Sequence, residues 1–319
     1  MTTPIRIATR GSQLALWQAN HVKDAIERAL AAGDHRPVEL VPIETRGDQI
    51  RDVPLAKLGG KGLFIKAIEQ ALLDGRGDIA VHSMKDIPAD RELEPSLVIA
   101  AVTERADPRD ALVSRKNLAL ADLPEGAHLG TASLRRMCML KSARPDLRVS
   151  TLRGNVPTRL GKLDAGDFDA IALSAAGLSR LGYGDRIAEI LAPDACIPAV
   201  GQGALGIQVR RADEALAALV RETLDHAADA RRIAAERAFL SRLEGGCQTP
   251  MAAYARFEGE SIAIDGAVGR PDGSELLRAA RRGDPADAEA LGADLADELL
   301  GRGAGTILAE CIAAAEAAP

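Results

Sequence analysis

Short strand-like runs alternate with longer stretches of helical period from Ile5 to Ser174, and this alternation restricts the possible folds more than any other property of the 319 residues. Ile5–Thr9 reads as a strand. Ser12 is placed to cap a helix running to about Ala32, with Leu14, Trp17, His21 and Ile26 near one face. Val38–Thr45 reads as the next strand, Gly62–Leu73 as a helix and Ile79–Met84 as a strand. A strand after each helix implies βαβ units and a largely parallel sheet. Glu104–Asp110 is charged, contains Pro108 and has no period, which suits a crossover between domains. A second α/β set follows: strand His128–Thr131, helix Ser133–Ala143, strand Val149–Leu152, helix Val156–Leu163 and strand Ala170–Ser174.

The Gly/Pro junction Pro198-Ala-Val-Gly-Gln-Gly203 precedes a lone strand, Ala204–Val209, placed to cross back to the first sheet. Beyond Asp225 the pattern changes. Ala230–Leu243 is helical, and Gly245-Gly246 is positioned to stop it. Residues Ala252 to Arg281 alternate like antiparallel strands around a turn at Pro271-Asp-Gly273, and two Ala-rich helices, Ala286–Leu300 and Gly303–Ala317, close the chain. The expected domains are 1–104 with 204–224, 105–203, and 225–319.

Composition narrows the function. Aromatic residues make up 2% of the chain, so cores rest on Ala, Leu, Ile and Val, and the stacking platforms used by single-strand nucleic-acid binders are lacking. The net charge of -6 also argues against a duplex-binding protein. Every Lys lies between Lys23 and Lys162, so a locally basic cleft remains compatible with the acidic balance. The Cys residues (138, 196, 247 and 311) form no CxxC or Cys/His cluster, so no metal site is expected. The first ten residues lack the apolar core of a signal peptide, and no apolar run reaches spanning length. A cytoplasmic protein with free thiols and no membrane partner is expected.

Three strand-to-helix turns carry arginine: Arg10-Gly-Ser12, Gly130-Thr-Ala-Ser-Leu-Arg-Arg136 and Arg153-Gly-Asn-Val-Pro-Thr-Arg159. A helix N-terminus presents unpaired amides that favour an anion, and arginine adds a bidentate partner for carboxylate. Each turn alone reads equally as a solvated cap, but ligands of open α/β sheets bind at such strand ends. Lys57-Leu-Gly-Gly-Lys-Gly62 is a basic glycine loop that is not a nucleotide-binding loop, because Gly62 follows Lys61 where Ser or Thr is needed. In His82-Ser-Met-Lys-Asp-Ile-Pro88, Asp86 follows a strand end, where it is either a turn residue or a carboxylate aimed into a crevice, and Lys85 would favour its ionised form. His82 reads as supporting. In Leu243-Glu-Gly-Gly-Cys-Gln-Thr-Pro250, the glycines leave Cys247 accessible, as a nucleophile or as an inert thiol. Cys138 and Cys311 read as core, and Cys196 as a buried loop residue.

Taken together, Ile5-Arg-Ile-Ala-Thr-Arg-Gly-Ser12, Gly59-Gly-Lys-Gly-Leu-Phe64, Val81-His-Ser-Met-Lys-Asp86, Leu134-Arg-Arg136, Leu152-Arg-Gly-Asn-Val156, Pro198-Ala-Val-Gly-Gln-Gly203 and Leu243-Glu-Gly-Gly-Cys247 resemble the hydroxymethylbilane synthase, or porphobilinogen deaminase, family from end to end. The resemblance implies an α/β fold with two periplasmic-binding-protein-like lobes around a cleft and a smaller C-terminal α+β domain. It implies a monomeric transferase that condenses four porphobilinogen molecules, with loss of ammonia, into a linear tetrapyrrole. The chain would be primed by a dipyrromethane cofactor held through a thioether to Cys247. Asp86 matches the catalytic aspartate. Arg10, Ser12, Lys57, Lys61, Lys85, Thr131, Ser133, Arg135, Arg136, Arg153, Arg159 and Arg180 match cofactor- or substrate-binding positions, with Ser83 and Gln202 in support and Phe64 placed to cover the reacting pyrrole. Ala132 departs from the usual Ser and removes one hydroxyl. Pro157 stands in a first helical turn, where it is tolerated.

Two other readings compete. A non-catalytic cytosolic organic-anion-binding protein would use the lobes but would not need Cys247 and Asp86 together. A ligand-sensing regulator would need a DNA-binding module, and no helix-turn-helix pattern precedes Ile5.

Overall fold

The computed structural model describes residues 3–30, 36–44, 63–89, 94–244 and 249–317. They form two compact units, Met1–Arg105 with Ala204–Ala230 and Ala106–Gly203 with Arg231–Pro319.

The first unit is built from β1 (Ile5–Thr9), α1 (Gln13–Leu30), β2 (Val38–Pro42), α2 (Leu63–Leu73), β3 (Ile79–Ser83) and β4 (Leu97–Val102). The second continues with β5 (Asp110–Ser114), β6 (His128–Gly130), α3 (Leu134–Ala143), β7 (Arg148–Ser150), α4 (Val156–Asp164), β8 (Ala170–Ser174), α5 (Ala175–Arg180) and β9 (Glu189–Ile190). The chain then returns to the first unit as β10 (Leu205–Arg210) and α6 (Glu214–Leu224).

The two sheets share one plan. In the first, the order is β2-β1-β3-β10-β4, with β1 parallel to β2 and β3, and β10 antiparallel to both neighbours. In the second, the order is β7-β6-β8-β5-β9, with β6 parallel to β7 and β8, and β5 antiparallel to both neighbours. In each sheet four strands run one way, as the βαβ reading expected, and one is opposed to the rest. The strand opposed to the rest enters each sheet from a crossover, not from a βαβ unit. The lone strand after the Gly/Pro junction does join the first sheet, as its position suggested.

Apolar runs dictate which strands are central. Ile79 and Val81, Ile207 and Val209, and Ile7 are all buried, and α1 packs Ala19, Val22 and Ile26 over them with Val220 of α6. Each such side chain contributes about 1.5–3 kcal/mol on burial. In the second unit, Leu112, Leu129, Met139 and Leu140 form one core, while Val113, Ile171 and Leu178 form another.

The C-terminal residues form α7 (Ala227–Arg242), the antiparallel meander β11 (Met251–Glu258), β12 (Ser261–Gly269) and β13 (Leu276–Gly283), and helices α8 (Ala288–Gly301) and α9 (Ala304–Ala317). Their core gathers Phe239, Ile262, Ile264, Leu295 and Leu299. Gly292 lets α8 lie against α7, since a Cβ there would stand 2.0 Å from the Ala235 carbonyl oxygen. Ala252 and Ala267 pack instead with Leu129, Met139 and Leu140, so this part shares a core with the second sheet. The β12–β13 turn has Gly273 at φ 77°, and the Asp272 carboxylate accepts from Ser274 N at 3.0 Å. α7 ends at Arg242, and Glu244 after it stands in the left-handed region at φ 52°; Gly245 and Gly246, expected to stop this helix, lie outside the described residues.

Candidate active site

The carboxyl ends of β1 and β3 lie side by side, because Ile7 and Ala8 are in register with Ile79 and Ala80. β1 runs into Arg10 and Ser12. The Ser12 hydroxyl accepts weakly from Ala15 N at 3.4 Å and its carbonyl from Leu16 N at 2.9 Å, the capping expected at this helix start. β3 runs into a single 3-10 turn, Met84–Asp86. Met84 is buried, Lys85 half-buried and Asp86 exposed, so the carboxylate stands at the strand end in solvent. Arg10, Lys85 and Asp86 are thus brought to one edge of one sheet. Ser83 Oγ accepts from Gln18 Nε2 of α1 at 2.9 Å, so its oxygen serves packing.

Behind this edge His82 is buried. Its Nε2 donates to Gln208 Oε1 at 3.0 Å, and Gln208 Nε2 donates to Glu69 of α2 at 2.9 Å. Burial pushes the His82 pKa down to about 4 against the opposing effect of the Gln208 hydrogen bond, so the ring is neutral near pH 7. The supporting role expected of His82 matches this chain of bonds.

In the second unit the β6–α3 turn is built from side chains that cap their own backbone. Thr131 Oγ1 accepts from Ser133 N at 3.2 Å, and Ser133 Oγ accepts weakly from Arg136 N at 3.4 Å. The arginines of this turn are buried. Arg135 is 5% exposed, and its Nη1 donates to Asp110 Oδ2 at 2.6 Å, Ile197 O at 2.6 Å and Cys196 Sγ at 3.4 Å. Arg136 donates through Nε and Nη2 to Asp110 Oδ1 at 3.0 and 2.7 Å, and through Nη1 to Ala172 O at 2.9 Å. Gln202 Nε2 donates to the same Oδ1 at 2.9 Å and to Pro108 O at 2.6 Å.

The anion at this turn is therefore Asp110, a residue of the chain itself, 0% exposed. Burial acts to raise its pKa, but the two guanidiniums outweigh burial and hold the carboxyl well below the usual range. The Cys196 thiol beside it is pushed up to about 12, by burial first and then by the Asp110 charge. Asp110 was not a candidate from the sequence; the available signal was an acid at the head of the apolar run Ala111-Leu-Val113.

The β7–α4 turn has the opposite electrostatics. Asn155 caps α4, accepting from Thr158 N at 2.9 Å, with Pro157 in the first turn. Arg159 Nε donates to Gly154 O at 2.7 Å. Burial, then the neighbouring charges of Arg136 and Arg153, push the Arg159 pKa down to about 10. Among the described residues, no carboxylate lies within ion-pair distance of Arg153 or Arg159. Arg180, at the end of α5, donates to Gly203 O at 2.7 Å, and burial pushes its pKa down to about 10. A buried guanidinium pressed toward losing its proton gains by binding an anion.

Cys247, Lys57 and Lys61 lie outside the described residues, and Phe64 falls in the first turn of α2. Among the described residues no group of acids, cysteines and histidines is suited to hold a metal.

A family model described as porphobilinogen deaminase, dipyromethane cofactor binding domain, matches residues 5–218, and one described as porphobilinogen deaminase, C-terminal domain, matches residues 230–301. Similar solved structures include a YaeC-family lipoprotein from Enterococcus faecalis, at 14% identity and a TM-score of 0.44 over 70% of this chain and 92% of that one. The VFT2 domain of BvgS from Bordetella pertussis gives 13% identity and a TM-score of 0.42 over 69% and 85%. An arginine-specific periplasmic binding protein of Salmonella typhimurium gives 13% identity and a TM-score of 0.37 over 72% and 94%.

Proposed function

The chain belongs to the porphobilinogen deaminase family, and from that premise we propose that Asp86 is its catalytic carboxylate, Cys247 the attachment point of its dipyrromethane, and Arg153, Arg159 and Arg180 the main cations for the acid arms of cofactor and substrate. The family's reaction is that of a hydroxymethylbilane synthase, a transferase of tetrapyrrole biosynthesis that joins porphobilinogen units head to tail with loss of ammonia.

The single observation that carries the binding part is the uncompensated charge around Arg159. Each pyrrole brings acetate and propionate arms, so a lengthening chain accumulates negative charge, and the neighbouring guanidiniums of Arg153 and Arg159, with no carboxylate among the described residues at ion-pair distance, suit it. This donor set fits the dipyrromethane, which when bound supplies the pyrrole carbon that receives the next unit. Arg10, Ser12, Lys57, Lys61 and Lys85 add positive charge or hydrogen-bond donors in the first unit. Thr131 and Ser133 accept from backbone amides, which leaves each hydroxyl hydrogen to donate to a carboxylate arm. Arg135 and Gln202 act through Asp110, as does Arg136 in part, and hold the turn that carries the hydroxyls. Ser83 supports β3, and Phe64 is assigned to covering the pyrrole.

Asp86 handles the charge that the chemistry creates. Loss of ammonia from an aminomethylpyrrole leaves an electron-poor azafulvene, positive at nitrogen when protonated. A fixed carboxylate at that nitrogen stabilises the developing charge and manages its proton. Residues 225–319 act as the domain that presents Cys247, and the enzyme works as a cytoplasmic monomer on a small-molecule substrate, with no nucleic acid or membrane partner. No helix among the described residues is long and apolar enough to cross a membrane.

Intact mass tests the covalent part: the protein should exceed its sequence mass by two linked pyrrole units, and Cys247→Ala should not. Equal masses would favour a non-catalytic anion-binding protein. Asp86→Asn should fold and carry the added mass but lose nearly all porphobilinogen turnover; normal turnover would remove Asp86 from the chemistry.

A further inference from the structure

Asp86 is exposed, yet the residues flanking the Lys85–Asp86 pair are deeply buried: Met84 and Ile87 are each 3% exposed. Both side chains seat against one residue, Gly206 of β10, which pairs with His82. A Cβ on Gly206 would stand 2.6 Å from Met84 Sδ and 2.7 Å from Ile87 Cδ1, far inside the contact separation of about 3.5–4.0 Å. The backbone there is extended strand, so glycine supplies room rather than conformational freedom. Main-chain bonds close the same seat, with Met84 N donating to Ala204 O at 3.0 Å and Ile87 N to Met84 O at 3.2 Å.

We propose that Gly206 is a positioning residue for Asp86: the missing side chain sets how deeply Met84 and Ile87 seat, and so where the carboxylate between them stands. The inference rests on the role proposed for Asp86. β10 lies between β3 and β4, and the side chains of Met84 and Ile87 are themselves 3% exposed, so neither has solvent to move into. A wedge at 206 is therefore taken up by the three-residue turn that carries Met84 and Asp86. Lys85 shares this turn with Asp86, whereas Arg153, Arg159 and Arg180 belong to the second unit, so the position of the carboxylate is disturbed more than the binding of acid arms.

The test is Gly206→Ala in the cofactor-bearing enzyme. Its kcat for porphobilinogen consumption should fall about tenfold to a hundredfold, with KM within about twofold. Adding Met84→Ala, which removes the nearest atom, should restore most of the lost kcat. Unchanged kcat in Gly206→Ala, or a loss that Met84→Ala does not relieve, overturns the proposal. Should Gly206→Ala not fold, Ile87→Ala loosens the same seat from the other side, and a wild-type kcat there overturns it equally. Asp86→Asn is assayed alongside. Full turnover in that variant would end the reading beneath the proposal, whereas loss of turnover there with unchanged kcat in Gly206→Ala would end only the positioning.

Discussion

Replacing Asp110 with Asn keeps the side-chain shape and removes the one carboxylate that, among the described residues, pairs with the two guanidiniums of the α3 turn. In the native protein the carboxylate accepts from Arg135, Arg136, Gln202 and Cys196. The amide loses the charge and turns an NH2 group toward groups that are donors themselves. Removing one partner of a buried ion pair costs about 3–5 kcal/mol. In a unit of this size each kcal/mol lowers Tm by about 2–4 °C, so a fall of about 6–20 °C is expected at pH 7. Thermal unfolding followed by circular dichroism measures it, with Asp86→Asn as the exposed control that should melt like wild type. The pH dependence has a definite sign. A carboxyl held below its ordinary pKa stabilises fully above the unfolded value of about 3.9, and the effect fades as pH falls below that toward the folded value. The difference between wild type and Asp110→Asn should thus be constant from pH 8 to about 4 and narrow below it. A Tm within about 2 °C of wild type at pH 7 would refute the assignment of Asp110 as the counter-charge.

Other expectations follow from the same environments. Arg159→Met removes a guanidinium whose pKa is pushed down to about 10 by burial and by Arg136 and Arg153, so without ligand it should melt no lower than wild type while chain elongation fails; a lower Tm with normal elongation would contradict the role. Burial pushes the Cys138 and Cys196 thiols up to about 12, so iodoacetamide at about pH 8 should label neither in the folded protein and both after denaturation, as peptide mass mapping would show. His82 folds neutral with its pKa near 4, while the unfolded ring takes a proton below about 6.5. Wild type should therefore lose stability relative to His82→Gln as pH falls from about 6.5 toward 4, read as the change in urea midpoint between those pH values.

The parallel strands and the helices after them are legible because period changes sharply at each strand-to-helix turn and a capping residue stands there, as with Ser133 before α3 and Asn155 before α4. Leu97–Val102 and Asp110–Ser114 are less so. They are short apolar runs with no period, and their place beside β10 and β8 follows from pairings more than fifty residues apart in sequence. The return of β10 to the first sheet can be anticipated from the Gly/Pro junction before it. Its antiparallel direction cannot, because direction depends on the side from which the crossover enters.

The arginine turns carry the sharper lesson about the site. Leu134-Arg-Arg136 and Arg153-Gly-Asn155 look alike as sequence, each a basic group at a helix start. What separates them is a carboxylate 25 residues upstream of Arg135, which only the strand pairing of β5 with β8 brings beneath α3. Asp110 neutralises part of the first turn from inside, and the second turn keeps its charge. An internal counter-ion at both turns would leave no reason for a polycarboxylate to bind, whereas none at either would crowd Arg135, Arg136, Arg153 and Arg159 into one repelling group. One buried acid is enough to keep the α3 turn rigid, and it leaves Arg153 and Arg159 with an electrostatic deficit that the acid arms of a growing pyrrole chain can fill.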